Sequence, residues 1–168
     1  MKKISLIYSF NTNNSKKIAE KIAAQFGEKD IEIFNAEALT KEQFLANENL
    51  ILSVPTWFDG ELPNYWDEFV PALEELELKG KKVAIFGMGD QEGYPENFLD
   101  AVGTMAALVE KQGAKVVGHT SNEGYKYEKS KAAVGDKFLG LGIDEENQSK
   151  LTEKRITDWV ADLKKAFK

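Results

Sequence analysis

Continuous apolar runs alternate along the chain with longer stretches in which apolar residues recur at helical spacing. The runs themselves are not broken by alternating polar residues, which is typical of strands covered on both faces. They predict strands at 3–8, 31–34, 49–54, 81–89 and 115–120. The stretches between and after them predict helices at 15–26, near 41–46, and at 64–77, 97–112 and 149–167. Five strand–helix units in sequence predict an α/β fold, a three-layer doubly wound sandwich built on a parallel sheet.

The segment 121–136 interrupts this alternation. It is polar, contains two glycines and two tyrosines, and precedes another apolar piece at 137–143. We interpret it as a loop inserted into the fifth strand, with the strand resuming at Lys137. A loop of this length in a compact domain usually has a function. No linker or repeat divides the chain, so residues 1–168 are expected to form a single domain.

The composition excludes several classes of protein. No apolar run approaches the roughly 18 residues that a membrane span needs. The N-terminus has too short an apolar stretch for a secretory signal, and no small-residue cleavage site follows it. The chain has no cysteine, which excludes disulfides and thiolate metal sites. We therefore expect a cytoplasmic protein that has no membrane or metal ion as a partner.

The charge is unevenly distributed. The whole chain carries a net charge of −6, but residues 59–100 hold eleven acidic side chains against three lysines, which is −8 for that segment alone. Such an acidic surface would repel the phosphates of nucleic acid and would suit a partner with a basic docking face. The alternative, that these acids are merely solvated helix and loop residues, stays open at this point.

Unusual residues cluster where strands are predicted to end. In a doubly wound sheet, ligands bind beyond the carboxyl ends of the strands, at the reversal in strand order. The loops 55–61 and 87–98 hold Trp57, Phe58 and Tyr94 next to glycines. Because Trp57 and Tyr94 follow adjacent strands, they could sandwich a flat ring. Packing of each ring on a neighbouring loop is the alternative.

The loop after the first strand, residues 9–15, is polar and leads directly into a helix. Hydroxyl and amide side chains beside the free N–H groups of a helix start can hold a phosphate. Because this loop has no glycine, the loop taken alone favours an ordinary capped turn. Asparagine, however, tolerates the left-handed conformation that a turn glycine adopts. Together with the two aromatic loops, it favours a mononucleotide with a planar ring. Its polar side chains are Asn11, Thr12, Asn13, Asn14 and Ser15.

Three long segments resemble the flavodoxins: PTWFDGELPNYWDEF (55–69), GKKVAIFGMGDQEGYPENFLDAVG (80–103) and KFLGLGIDEENQSKLTEKRITDWV (137–160). The likeness runs from Lys3 to Phe167, and 121–136 is similar to the insertion of the long-chain subgroup. The resemblance implies a five-stranded parallel sheet in the order 2-1-3-4-5, of which flavodoxin is a standard example. It also implies a low-potential, one-electron carrier that binds FMN without a covalent bond.

The resemblance further implies a role for each part of the site. Trp57 and Tyr94 would stack on the two faces of the flavin ring, and backbone groups of the glycine-rich loops would meet its polar edge. Thr56 and Asp144 would reach the ribityl chain, and residues 9–15 would hold the phosphate. The expected site comprises Ser9, Phe10, Asn11, Thr12, Asn13, Asn14, Ser15, Thr56, Trp57, Phe58, Gly60, Gly89, Asp90, Tyr94, Asn97 and Asp144.

The sequence departs from the family pattern at two places. The phosphate loop of the family has Thr or Ser where this chain has Phe10, and glycine where it has Asn13. We expect weaker FMN binding as a result, with Ser9 as a possible substitute donor. The second departure is Phe58, whose bulk restricts the backbone conformations that the family's turn uses on reduction.

As partners we expect basic-faced redox proteins, namely a flavodoxin reductase and acceptor enzymes. We expect the chain to be a monomer. We also expect it to be an electron-transfer protein rather than an enzyme. Two alternatives remain at this stage. One is an FMN-dependent NAD(P)H quinone-type reductase on the same fold, and the other is a flavin-free flavodoxin-like module whose phosphate loop has decayed. His119, the only histidine, is expected to have a structural role.

Overall fold

The computed structural model describes residues 2–168. Its strands are β1 (Ile4–Tyr8), β2 (Ile31–Asn35), β3 (Asn49–Ser53), β4 (Lys82–Met88), β5 (Lys115–Val117), β6 (Thr120–Ser121), β7 (Ala133–Val134), β8 (Lys137–Phe138) and β9 (Leu141–Ile143). Its helices are α1 (Asn13–Ala24), α2 (Lys41–Leu45), α3 (Asn64–Leu73), α4 (Asp100–Lys111), α5 (Glu145–Gln148) and α6 (Thr152–Ala166). Within residues 2–168, no helix has the length and apolar character to cross a membrane.

The five main strands form a parallel sheet in the order β2-β1-β3-β4-β5, which confirms the predicted fold class. β1 lies between β2 and β3, and Ile7 pairs with Phe34 on one side and with Leu52 on the other. The direction in which successive strands are added to the sheet therefore reverses between β1 and β3. Crevices at such a reversal, beyond the carboxyl ends of the strands, are where ligands bind in this kind of sheet.

Each central strand contributes to two hydrophobic cores. In β1, Leu6 packs into the core that contains α1 and α6, whereas Ile7 packs into the core that contains α3 and α4. In β3, Ile51 and Leu52 are divided between the two cores in the same way. Because successive side chains point to opposite faces and both faces are covered, every residue of β1 and β3 is buried.

The fifth strand is divided into β5 and β9, which both pair with β4. The residues between them, 118–140, we call the insertion. Its strands form a small antiparallel sheet in the order β6-β8-β7. Lys137 pairs with Ser121 in that small sheet, so the prediction that the fifth strand resumes at Lys137 differs from the structure, where pairing with β4 resumes at Leu141.

The physical reason for this difference is that Phe138 is buried without pairing in the main sheet. It is fully buried in the core that contains α3 and α4, where its aromatic neighbours are Phe98, Tyr125 and Tyr127. An apolar run does not reveal whether it enters a core from the main sheet or from an inserted segment. Gly140 marks the transition, since a Cβ there would lie 2.1 Å from the carbonyl oxygen of Ile85 in β4.

The helices α3 and α4 are each shorter than the apolar spacing predicts. α3 ends at Leu73 instead of residue 77, and it contains Pro71, which cannot donate a backbone hydrogen bond. α4 begins at Asp100 instead of residue 97 because Leu99 has a left-handed backbone with φ of 58°. A left-handed residue cannot continue a right-handed helix. Residues 97–99 therefore belong to the loop after β4, at the carboxyl ends of the strands.

Candidate functional site

The turn after β3 is closed by two backbone hydrogen bonds. Trp57 N–H donates to the carbonyl of Glu61 at 2.8 Å, and Glu61 N–H donates to the carbonyl of Trp57 at 2.7 Å. Inside this turn, Phe58 and Gly60 have positive φ values of 50° and 96°. Phe58 is 71% exposed, while the ring of Trp57 lies edge-on to Tyr65 with centroids 5.8 Å apart. The turn thus holds Trp57 firmly and presents Phe58 to solvent.

The loop after β4 is organised around the carboxylate of Asp90. One carboxylate oxygen accepts the N–H of Gly93 at 2.8 Å and the N–H of Glu92 at 3.2 Å, and Asn147 Nδ2 donates to it at 2.8 Å. These hydrogen bonds, chiefly that from Gly93, hold the pKa of Asp90 below its ordinary value. Tyr94 N–H donates to the carbonyl of Asp90 at 2.8 Å, which leaves the half-exposed tyrosine ring at the loop tip.

Both loops face one cleft. Its larger part, about 410 Å³, is lined by Thr56, Trp57, Phe58, Gly89, Asp90, Tyr94, Asn97 and Phe98. An adjoining part of about 300 Å³ shares Thr56, Trp57, Gly89, Asp90 and Tyr94 and continues to Asn14, Glu145 and Glu146. The size lies in the range of small-molecule sites. The structure therefore brings both predicted stacking aromatics to the same cleft, which reaches from the turn after β3 to the start of α1.

The start of α1 supplies no cap of its own. Thr12 precedes the helix in an extended conformation, and within residues 2–168 its side chain makes no capping hydrogen bond to the helix N–H groups. The first turn also holds no acidic residue. The positive end of the helix dipole and its free N–H groups are thus available to an anion. Asn14, in that first turn, lines the same cleft as Trp57 and Tyr94. An anion at the helix start could therefore belong to the same ligand as a flat ring stacked on those two side chains.

The residues of the predicted phosphate loop differ in exposure and in hydrogen bonding. The side chain of Ser9 is fully buried, and its Oγ accepts the N–H of Asn11 at 3.3 Å. Ser15 is also buried. Thr12 Oγ1 donates to the carbonyl of Ser9 at 3.3 Å. Phe10 is 41% exposed and packs against Tyr8, with ring centroids 5.1 Å apart.

The structure gives Asp144 a supporting role in the loop after β4. Its carboxylate is fully buried and accepts hydrogen bonds from the backbone N–H of Gln91 at 3.0 Å, from Gln91 Nε2 at 2.7 Å and from the backbone N–H of Asn147 at 3.0 Å. With its oxygens engaged, this carboxylate supports the loop after β4 from beneath and does not line the cleft. Its contact with a ribityl chain stays a prediction.

Two residues of the site have a second role that sequence reasoning missed. Thr56 lines the cleft, but its Oγ1 also accepts the N–H of Ala101 at 3.1 Å and so satisfies a donor in the first turn of α4. Asn97 also lines the cleft, and its Nδ2 donates to Asp100 at 3.2 Å. Asp100 was not predicted to matter. The only signal for it is an acidic residue at a helix start, which is too common to single it out.

Chemically, the cleft offers two aromatic faces, exposed loop backbone and one uncapped helix start. Among residues 2–168, no cluster of His, Asp or Glu side chains is arranged to hold a metal ion. A doubly wound α/β sheet with such a cleft at the carboxyl ends of its strands defines a class of proteins that bind flat, anionic nucleotides.

Comparison with known proteins identifies the family within that class. The flavodoxin family model matches residues 6–159. The chain is 42% identical to the flavodoxin of Klebsiella pneumoniae over 94% of this chain and 90% of that protein. It is also 42% identical to the flavodoxin of a Picosynechococcus species, over 99% of both chains. The crystal structure of Fusobacterium nucleatum flavodoxin bound to flavin mononucleotide matches with a TM-score of 0.94 and 39% identity, covering all of both chains. The chain belongs to the flavodoxin family.

The hydrogen bonds to Asp90 lead to a testable pH dependence. Because the folded chain lowers the pKa of Asp90, its ionised form stabilises the fold at pH values above the ordinary pKa of 3.8. This contribution is lost as the pH falls through the lower folded value. We expect the Asp90 carboxyl carbon to titrate below pH 3.8 in an NMR titration. We also expect Asp90→Asn to reduce stability at neutral pH, with a smaller difference from the unsubstituted chain in acid.

The control is Glu92→Gln, since the Glu92 carboxylate accepts none of the bonds that hold the loop. It should leave the titration midpoint of Asp90 below its ordinary value. An Asp90 titration midpoint at or above its ordinary value would contradict the assigned role of these hydrogen bonds.

Proposed function

We propose that the cleft binds FMN without a covalent bond and that the chain carries single electrons between a reductase and acceptor enzymes. The observation that carries the proposal is the joint position of Trp57, Tyr94 and the uncapped start of α1 around one cleft. A flat ring, a linker and a phosphate match these three features in order. The Fusobacterium nucleatum flavodoxin, similar over its whole length, is bound to flavin mononucleotide.

The part of the site that would hold the flavin ring, which we call the ring half, is better formed than the phosphate half, the part that would hold the phosphate. Trp57 and Tyr94 both line the cleft, and stacking of a planar ring on an aromatic side chain contributes about 1–3 kcal/mol. The polar edge of the flavin would meet the backbone of the two loops around Gly60, Gly89 and Asn97. Phe58 is highly exposed at the rim. It would shield one side of the ring without filling the cleft.

The phosphate half relies on the helix start. Asn11, Thr12, Asn13 and Asn14 lie at or before the first turn of α1, where the free N–H groups supply most of the donors. Phe10 supplies no hydroxyl, and the buried Ser9 does not replace it. One missing hydrogen bond to a charged group corresponds to about 1.5–3 kcal/mol, or one to two decades of affinity. FMN binding is therefore weaker than a loop with threonine at position 10 would give.

Bound FMN supplies the one-electron chemistry, and the residues of the chain set its electrostatic surroundings. Asp90 lines the cleft and is held in its ionised form by the loop, while Glu145 and Glu146 line the adjoining part. These carboxylates oppose additional negative charge in the cleft. For a one-electron couple, each tenfold bias against the reduced state lowers the potential by about 59 mV. The acidic residues thus favour a low potential.

The same acidic character supports redox partners with basic faces. The segment 59–100 has a charge of −8, and it includes the second half of the turn after β3 and the whole loop after β4. Electrostatic attraction of this kind accelerates encounter more than it strengthens the complex. A monomeric state and a cytoplasmic location remain predictions from the sequence.

The direct test is a flavin titration followed by stepwise reduction. We expect the apoprotein to bind FMN saturably with a submicromolar dissociation constant, measured by quenching of flavin fluorescence. During anaerobic reduction, the visible spectrum should resolve two one-electron steps. Lack of saturable binding would overturn the proposal and favour a flavin-free module. Rapid oxidation of NADPH by the holoprotein without an added reductase would favour a quinone-type reductase instead.

The atypical phosphate loop can be tested by restoring its hydroxyl. We expect Phe10→Thr to lower the dissociation constant for FMN by about 10- to 100-fold, because a hydroxyl at this position can donate to the phosphate. Riboflavin, which has the same ring but no phosphate, is the control and should bind the variant and the unsubstituted chain alike. An equal change for both flavins would mean that Phe10 acts on the ring half of the site.

Docking through the acidic segment predicts a dependence on salt. The rate of reduction by a flavodoxin reductase should fall as ionic strength rises, because screening weakens attraction between exposed charges. Glu92→Lys, on the loop after β4, should slow the reaction at low salt. Glu77→Lys makes the same charge change beyond the far end of α3 and should have little effect. A rate independent of both salt and Glu92→Lys would refute the basic-faced partner.

A further inference from the structure

The carboxylate of Asp100 is buried in a place where several segments of the site meet. Asp100 is the first residue of α4 and is only 3% exposed. A buried carboxylate is costly unless hydrogen bonds or opposite charges compensate it. Its position at a helix N-terminus is favourable for a negative charge. The partners of its two oxygens show what the residue holds together.

One oxygen faces the insertion and the other faces the cleft. Oδ1 accepts the backbone N–H of Lys131 at 2.8 Å. Oδ2 accepts from Nδ2 of Asn97, which lines the cleft, at 3.2 Å. Oδ2 also lies against the turn after β3, since a Cβ at Gly60 would approach it to 2.6 Å. A single side chain therefore contacts the insertion, the loop after β4 and the turn that carries Trp57.

Backbone bonds reinforce the link between the insertion and the loop after β4. The N–H groups of Glu128 and Lys129 donate to the carbonyl of Pro95, at 2.7 Å and 3.0 Å. Pro95 follows Tyr94 directly, so the insertion is bonded to the residue next to the proposed stacking aromatic. The turn after β3 has no such backbone bonds to the insertion among residues 2–168, and Asp100 is its route to that segment.

We propose that Asp100 is a positioning residue through which the insertion sets the separation of the two aromatic loops around the flavin ring. The proposal rests on the FMN site described above. The Lys131 N–H anchors the carboxylate from behind, and the carboxylate holds Asn97 and the turn at Gly60 in front. Loosening this anchor widens the ring half of the cleft and leaves the phosphate half unchanged.

The Lys131 N–H can be removed without disturbing the cleft directly. The N–H of Ala133 donates to the carbonyl of Ser130 at 3.2 Å, which makes residues 130–133 a turn with Lys131 at its second position. Proline is favoured at that position of common turns, and Lys131 does not have a positive φ. Lys131→Pro therefore removes the donor and keeps the turn. Lys131→Ala, which removes the charge but keeps the N–H, is the matched control.

We expect Lys131→Pro to raise the dissociation constants of FMN and riboflavin by the same factor, roughly tenfold, as for loss of one hydrogen bond. The visible circular dichroism of the bound flavin should change with it. Lys131→Ala should change neither quantity. Asp100→Asn keeps an oxygen for the Lys131 N–H, so its affinity for both flavins should lie between those of the unsubstituted chain and Asp100→Ala.

A variant at the other end of α4 distinguishes a purely structural role of Asp100 from a positioning role. Gln112 Nε2 ties the end of α4 to the carbonyls of Glu74 and Leu76, at 3.0 Å and 2.7 Å. Gln112→Ala should lower the unfolding free energy of the apoprotein without altering flavin affinity. If Lys131→Pro and Asp100→Asn likewise lower stability only, the proposal is wrong.

The remaining outcomes are also decisive. A selective loss of FMN affinity, with riboflavin binding intact, would assign Asp100 to the phosphate half and overturn the positioning role. If the unsubstituted chain does not bind FMN, the proposed function itself fails. If it does bind FMN and both Lys131→Pro and Asp100→Asn bind equally well, only the positioning role fails.

Discussion

The register between β3 and β4 is the constraint on which the site depends. Ser53 pairs with Phe86 at the end of the ladder, and the pairing continues beyond β3, with the N–H of Val54 donating to the carbonyl of Phe86 at 2.8 Å. On the other side of β4, the N–H of Gly89 donates to the carbonyl of Ile143 at 3.0 Å. These bonds bring the two aromatic loops out of the sheet side by side. A slip of one residue would turn the side chains of a strand to the opposite face and separate the loops.

Above this framework, buried polar side chains hold the loops together. Asp144 supports the loop after β4 from beneath, and Asp100 joins that loop to the turn after β3. Both carboxylates are buried and have hydrogen-bond partners, as such groups must be if their burial is not to destabilise the fold. Loops held in this way keep their shape before a ligand arrives, which lowers the entropy that binding must overcome.

The sequence was sufficient for the framework and for placing Trp57 and Tyr94 at one cleft. Continuous apolar runs predicted the strands, and glycines beside Trp57 and Tyr94 predicted exposed aromatic loops. It failed where a residue's environment depends on distant segments. Nothing local distinguishes Phe138, which enters the core from the insertion, from a residue of the main sheet, or a buried Asp144 from an exposed one. The same holds for Asp100, whose partner Lys131 is thirty-one positions away. Such contacts follow from the assembled topology and not from periodicity.

The division of the fifth strand also affects how this chain behaves beside copies of itself. The outer strand of the sheet is reduced to β5 and β9, each only three residues long, and the insertion leaves the sheet between them. A long, flat, unpaired edge is a template on which another chain can add a strand, whereas short interrupted edges resist this. At that side of the molecule, the interruption is therefore a barrier to edge-to-edge aggregation.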